Sequence, residues 1–300
     1  HYGEKAVLEA FFPRMLRYFD YLDAHSEDGL VVSDYPGAWC LGDWCTPGDI
    51  QIAPPLVNTY FAVKSLLRAA EIACIIGRES IIPQLEQNIA ARKKAIVDRF
   101  FNPATGDFDG NTQGANAFAV DIGLGDARTF ANIVDKYNRL GMFDTGIFGT
   151  DILTRVLFER GEGALALRLL ASKKEVSFHH MMRSGATTLW EYWSGKKSRS
   201  HPMFGAAARY LFYDILGIRQ AEGSAGFTGI VISPRAAGGL DFAKGHITAP
   251  AGRIAVSLKK KGGSLVCSID VPEGVRAVFE YGAVSRPLHA GGNSFAVELQ

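Results

Sequence analysis

The chain has 300 residues, of which 47% are hydrophobic and 21% charged, a globular composition and not a disordered one. Lys and Arg number 32 against 31 Asp and Glu, so the net charge of +1 gives no electrostatic footprint for nucleic acid or an anionic membrane. No apolar run approaches the roughly 18 residues that a membrane-spanning helix needs. The length suits one large domain or two ordinary ones.

Residues 8–24 place Leu8, Phe12, Leu16, Phe19 and Leu22 at three- and four-residue spacing, which predicts a helix with a fault at Pro13. Residues 56–76 carry Leu56, Tyr60, Val63, Leu67, Ala70 and Cys74 on one stripe, with Gly77 as the stop. Ser80 is the expected cap of the next helix, which carries Ile82, Leu85, Ile89, Ile96 and Phe100 as far as Asn102-Pro103. Further helices are predicted near 113–123, 126–140, 149–160, 162–172 and 202–217. No fixed-period consensus links them, which disfavours a solenoid of identical repeats. Beyond about residue 223 the pattern turns to period-two alternation broken by Gly and Pro, with a hairpin tip at Lys261-Gly262-Gly263-Ser264. A run of helices followed by a run of strands predicts a mainly α protein, a helical domain over 1–222 joined to a small antiparallel β domain over 223–300.

The four cysteines, at 40, 45, 74 and 267, match no common zinc spacing and are too sparse for a disulfide scaffold. They read as free core thiols. No charged n-region and apolar h-region follow His1, so no signal peptide is expected; either a leader was removed or the chain is an excerpt of a longer one.

Two long, irregular loops, 27–55 and 176–202, hold all four tryptophans: Trp39 and Trp44 in the first, Trp190 and Trp193 in the second. Tryptophans gathered in loops beside carboxylates suit a sugar site, where aromatic faces stack on the ring and carboxylates bind its hydroxyls; buried loop anchors are the other reading. Glu191 lies between Trp190 and Tyr192. A carboxylate partly desolvated among aromatic rings is a better proton acceptor near neutral pH, whereas pairing with Arg183 or Arg199 would make it structural. His201 stands where a helix starts, able to bind a ligand hydroxyl or to cap the turn. Asp43 offers a carboxylate beside the Trp44 indole, or caps a turn. His179 and His180 are adjacent and lack carboxylates at ligand spacing, so no metal is expected there. The chain has no GxSxG elbow, P-loop, HExxH or dinucleotide fingerprint; Gly123 and Gly125 lack the third glycine.

An ordered series of strings resembles the bacterial α-L-rhamnosidases of glycoside hydrolase family 78. It comprises Gly42-Asp43-Trp44, Gln113 with the helix after it, Thr145-Gly146-Ile147-Phe148-Gly149-Thr150, Ala186-Thr187-Thr188-Leu189-Trp190-Glu191-Tyr192-Trp193 and Ser200-His201-Pro202-Met203-Phe204-Gly205. The resemblance implies a partial (α/α)6 barrel followed by a β-sandwich. It also implies inverting hydrolysis of terminal α-L-rhamnosides, with no cofactor. Glu191 would be the general base, and Trp44, His201, Asp43 and Trp193 would hold the sugar. The substrate would be a rhamnose-containing glycoside or polysaccharide. The family's general acid lies in an acidic motif upstream of GDW that has no match between His1 and Gly42. An inverting glycosidase needs two carboxyl groups, so the chain is expected to be part of a longer enzyme, a truncated inactive relative, or a non-catalytic rhamnoside binder.

Overall fold

The fold is that of a computed structural model, in which residues 3–32, 40–235 and 239–299 are described. Trp39 lies outside these residues. Among the described residues no helix is long and apolar enough to cross a membrane.

The helical part runs through α1 (Lys5–Ala24), α2 (Pro54–Ile75), α3 (Ile82–Phe100), α4 (Ala115–Asp121), α5 (Ala127–Leu140), α6 (Ile147–Glu159), α7 (Gly163–Leu170) and α8 (Phe178–Arg183). Two short hairpins punctuate it: β1 (Ser26–Glu27) pairs with β2 (Leu30–Val31), and β3 (Phe101–Asn102) with β4 (Asp107–Phe108). Pro13 lies inside α1 without dividing it. Two prolines open α2, where their missing N–H groups have no helical partner to lose. The buried face of α2 carries Leu56, Tyr60, Val63, Leu66, Ala69 and Ala73. It departs from the predicted stripe at Leu67, Ala70 and Cys74, and Cys74 is exposed, not in the core. Gly77 does end the helix, in left-handed geometry (φ +69°), while Arg78 N donates back to Ala73 O at 2.8 Å.

Two other expectations are corrected. Ser80 does not cap α3; it sits inside a 3-10 turn (Glu79–Ile81), and Pro83 presets the first helical turn in its place. Residues 202–217 are not one α-helix but a 3-10 segment (Pro202–Ala208) and a π turn (Leu211–Ile215). The wide turn seats buried Asp214 against Arg219 and Arg235, a contact that apolar periodicity does not encode.

The chain forms two compact units. One comprises Glu4–Val156 and Ser172–Phe204; the other includes Leu157–Ala171 and Gly205–Gln300. In the first, Tyr60 of α2 packs edge-on against Phe118 of α4, with ring centroids 5.1 Å apart. Beneath that pair, Asp121 accepts from Tyr60 Oη at 2.6 Å and Arg155 Nε at 2.7 Å, with Lys64 at 3.1 Å, which ties α2, α4 and α6 together.

The second unit holds β5 (Ile218–Gln220), β6 (Gly229–Ile232), β7 (Phe242–Ala249), β8 (Gly252–Lys261), β9 (Ser264–Val271), β10 (Arg276–Tyr281), β11 (Val284–Leu288) and β12 (Gly291–Glu298). They form two four-stranded sheets, ordered β11-β10-β6-β5 and β12-β9-β8-β7. Inward residues of both, among them Ile230, Ile232, Ile254, Leu258, Ile269 and Phe279, share one apolar cluster, as in a sandwich. The hairpin tip falls as expected, with Lys261 opposite Ser264. The expectation of an antiparallel domain is corrected at one pair: β6 and β10 run parallel, because the chain crosses to the other sheet between them.

Candidate active site

The two irregular loops meet in the first unit, and the start of α6 is what joins them. A helix leaves its first N–H groups without partners. In α6 they are all taken up by the Gly42-Asp43-Trp44 string. Asp43 Oδ2 accepts from Gly146 N at 2.7 Å, while Oδ1 accepts from Phe148 N at 3.0 Å and Gly149 N at 3.2 Å. The remaining amide, Ile147 N, donates to the Trp44 carbonyl at 2.7 Å. The glycines make this approach possible. A β-carbon on Gly146 would lie 2.1 Å from the Trp44 carbonyl oxygen, and one on Gly149 2.6 Å from Asp43 Oδ2. Asp43 is fully buried, and burial pushes its carboxyl up to about 7 against the opposing pull of the Gly149, Gly146 and Phe148 amides.

The same turn holds the second loop. Trp193 donates its indole N–H to the Thr145 carbonyl at 2.9 Å. Its ring packs against Phe204, with centroids 4.2 Å apart, and against Phe143 and Phe178, which leaves it 3% exposed. Trp190 is also buried, beneath the Arg199 guanidinium and against Gly195, where a β-carbon would come within 2.7 Å of the indole. Arg199 is therefore engaged with Trp190 and with the Gly195 carbonyl.

Trp44 is half-buried and tilts against Tyr192, with ring centroids 6.1 Å apart. Tyr192 also shares a hydrogen bond with the thiol of Cys45, a buried residue in left-handed geometry (φ +63°). Burial pushes that thiol up to about 12, and the charges of Glu191 and Asp43 add to the effect. Trp44, Cys45, Tyr192 and Trp193 line a cavity of about 790 Å³, together with Asp49, Glu175, His180 and the Lys196-Lys197 pair.

Glu191 is half-buried, next to Tyr192. A tight turn fixes it: its N–H donates to Ser198 O at 2.9 Å, and its Oε2 accepts from Ser198 N at 3.1 Å. His201 closes the same turn by donating its N–H to Leu189 O at 2.8 Å, and its ring Nδ1 is buried without a protein partner. Glu191 and His201 are not part of the cavity lining, whereas Trp44 and Trp193 are. Among the described residues no cluster of His, Cys, Asp or Glu has the arrangement of a metal site.

Sequence reasoning missed Cys45, Asp49, Glu175, His180 and Tyr192 as lining residues. Tyr192 was legible in principle, since it stands inside the Trp190–Trp193 string. Gln113 stood in the matched series without a task. Its carboxamide oxygen accepts from Gln51 N at 2.8 Å and Ile52 N at 3.1 Å, and its Nε2 donates to Asp49 O at 3.0 Å. It thus clamps the end of the loop that carries Trp44.

An aromatic-walled cavity on a helical unit, followed in the chain by a β-sandwich, sets the class of the protein. The family is more specific. Residues 1–215 match the bacterial alpha-L-rhamnosidase 6 hairpin glycosidase domain, and residues 217–280 match the bacterial alpha-L-rhamnosidase C-terminal domain. The chain belongs to this bacterial α-L-rhamnosidase family. It is 25% identical to an alpha-L-rhamnosidase of Alteromonas sp. (strain LOR), over 92% of this chain and 32% of that protein. It is 26% identical to one of Streptomyces avermitilis, over 92% of this chain and 27% of that protein. The chain therefore spans between about a quarter and a third of the length of these curated relatives. The fold is similar to the crystal structure of the Streptomyces avermitilis alpha-L-rhamnosidase complexed with L-rhamnose (TM-score 0.84, 24% identity, 99% of this chain and 31% of that one). It is also similar to native rhamnosidase from Aspergillus terreus (TM-score 0.88, 20% identity, 99% and 37%).

Proposed function

We propose that the chain contributes the water-activating side of an inverting α-L-rhamnosidase active site, on a helical domain of (α/α)6 type. The observation that carries this reading is the convergence of the Trp44 and Trp193 loops on one cavity, with Glu191 held beside it by the Ser198 amide. In this reading Glu191 takes a proton from the attacking water as it adds to the anomeric carbon. The exposed face of Trp44 stacks on the sugar. The unpartnered Nδ1 of His201 bonds a sugar hydroxyl, an interaction that offsets the cost of a buried polar atom.

The other two residues act mainly by position. Asp43, sealed under the first turn of α6, holds Trp44 in place and does not itself reach the sugar. Trp193, anchored on Thr145 and 3% exposed, lines the cavity from within the core. Inversion needs a second carboxyl group about 6.5–9.5 Å from the first to protonate the leaving oxygen. The matched strings assign that acid to no residue of this chain.

The stereochemistry tests the reading. When an aryl α-L-rhamnoside is hydrolysed by the longest natural chain containing this sequence, NMR should show β-rhamnose as the first sugar released. Release of α-rhamnose first would exclude inversion and with it the general-base role of Glu191.

A further inference from the structure

The first unit has a second cavity, of about 580 Å³, within the ~300–1,000 Å³ range of small-molecule sites. Gln51 lines it, and the preceding residue, Ile50, lines the aromatic cavity, so one loop serves both. We propose that this second cavity is a site for a small neutral saccharide, held by hydrogen bonds and not by stacking. The inference does not depend on the role given to Glu191.

Among the described residues no aromatic one lines the cavity, and the two cations of its wall, Lys136 and Arg139, are each paired with a carboxylate. Asp135 pairs with Arg139 at 2.7 Å, and Asp144 with Lys136 at 2.7 Å. Asp107 accepts from Asn116 and Asn132, both at 2.7 Å. Neither cation of the described wall is free to recruit an anion, and Asp107, whose partners are two neutral amides, already accepts from both. The wall is instead a mixture of amides, hydroxyls and paired ions that can both donate and accept, which is what a polyhydroxylated neutral ligand requires.

Asn111 gives the second, independent observation. The residue is 9% exposed; its Nδ2 donates to Asn132 O at 3.2 Å, yet its Oδ1 is buried without a partner. Its backbone is left-handed (φ +56°), next to Gly110 (φ +63°). A non-glycine residue in this region is uncommon and often marks a use, although Asn adopts it more readily than most. For Gln113, also left-handed, the use is the clamp on residues 49–52. Among the described residues none donates to Asn111 Oδ1, and a ligand hydroxyl would.

The test is amide NMR of the chain titrated separately with methyl α-L-rhamnoside, D-glucose and inorganic phosphate. The proposal predicts saturable shifts at the side-chain amides of Asn111 and Asn132 with at least one of the two sugars and none there with phosphate. Asn111→Gly keeps the left-handed backbone and removes the acceptor. It should weaken this binding about tenfold, the factor that about 1.4 kcal/mol gives. Asp135→Phe, on an exposed helix face, should plug the cavity and abolish these shifts while leaving any at the Trp44 indole. Sugar-induced shifts confined to Trp44 and Tyr192, shifts of Asn111 by phosphate, no saturable shift with either sugar, or an Asp135→Phe chain that still responds at Asn111 would each overturn it.

Discussion

Asp43 and Gly149 fit together as plug and socket: the carboxylate accepts the Gly149 N–H at 3.2 Å, at a distance where any β-carbon on Gly149 would fall 2.6 Å from Oδ2. This pair explains why Gly42-Asp43-Trp44 and Thr145-Gly146-Ile147-Phe148-Gly149-Thr150 occur together. One string is the cap of a helix, and the other is the helix start shaped to receive it. Trp44 and Trp193 inherit their positions from that joint, through the Trp44 carbonyl and the Thr145 carbonyl respectively.

Gly149→Ala should therefore destabilise the chain by about 1–3 kcal/mol, the usual cost of forcing extra carbon into a packed site. The new methyl would also lie 2.9 Å from Thr145 Cβ, so relaxation away from Asp43 is blocked. Urea unfolding measures the loss. An unchanged midpoint would mean the joint is looser than its geometry.

Asp43 should give the stability a pH dependence of known sign. Its carboxyl is pushed up to about 7 in the fold, chiefly by burial, against about 3.9 in an unfolded chain. Between about pH 4 and 7 the native state holds a proton that the unfolded state has lost, so this group makes stability fall as pH rises through that window and adds no slope above it. Asp43→Asn should remove that component. The variant should also be weaker at neutral pH by about 1–3 kcal/mol, because its NH2 faces a backbone donor and leaves one buried amide unpaired. Denaturant midpoints across the window, wild type beside variant, check both.

The cysteines should separate by reactivity. Cys74 is exposed, whereas Cys45 and Cys267 are buried and burial pushes their thiols up to about 12 and about 11. Cys40 is half-buried and holds the Asn58 amide at 2.7 Å. Iodoacetamide at about pH 8 should modify Cys74 first, with Cys45 and Cys267 reached only after unfolding, as read by peptide mass spectrometry. Early labelling of Cys45 would contradict the packing around Tyr192.

The sequence carried the order of helices and strands because apolar spacing records which face is buried, as along α2 and in the β8–β9 hairpin. It did not carry the π turn at Leu211–Ile215, whose reason is the charge of Asp214 and not a stripe. Strand β7 (FAKGHITA) carries only a weak apolar signal, since Ala249 at its end is its one fully buried residue. For the site, residue types in the loops pointed to Trp44 and Glu191. They could not tell a carboxylate facing a sugar from one sealed under a helix, because Asp43 needs partners more than a hundred positions away. The task of Gln113, which the matched series did name, was hidden for the same reason: its partners are backbone groups, which leave no trace in residue type.

The most direct measurement is hydrolysis of an aryl α-L-rhamnoside by the longest natural chain containing this sequence, beside its Glu191→Gln variant. The account predicts that the variant binds L-rhamnose as well as the wild type while turnover falls by about a hundredfold or more, the scale of a lost general base. A variant that turns over at the wild-type rate would contradict the assignment of Glu191.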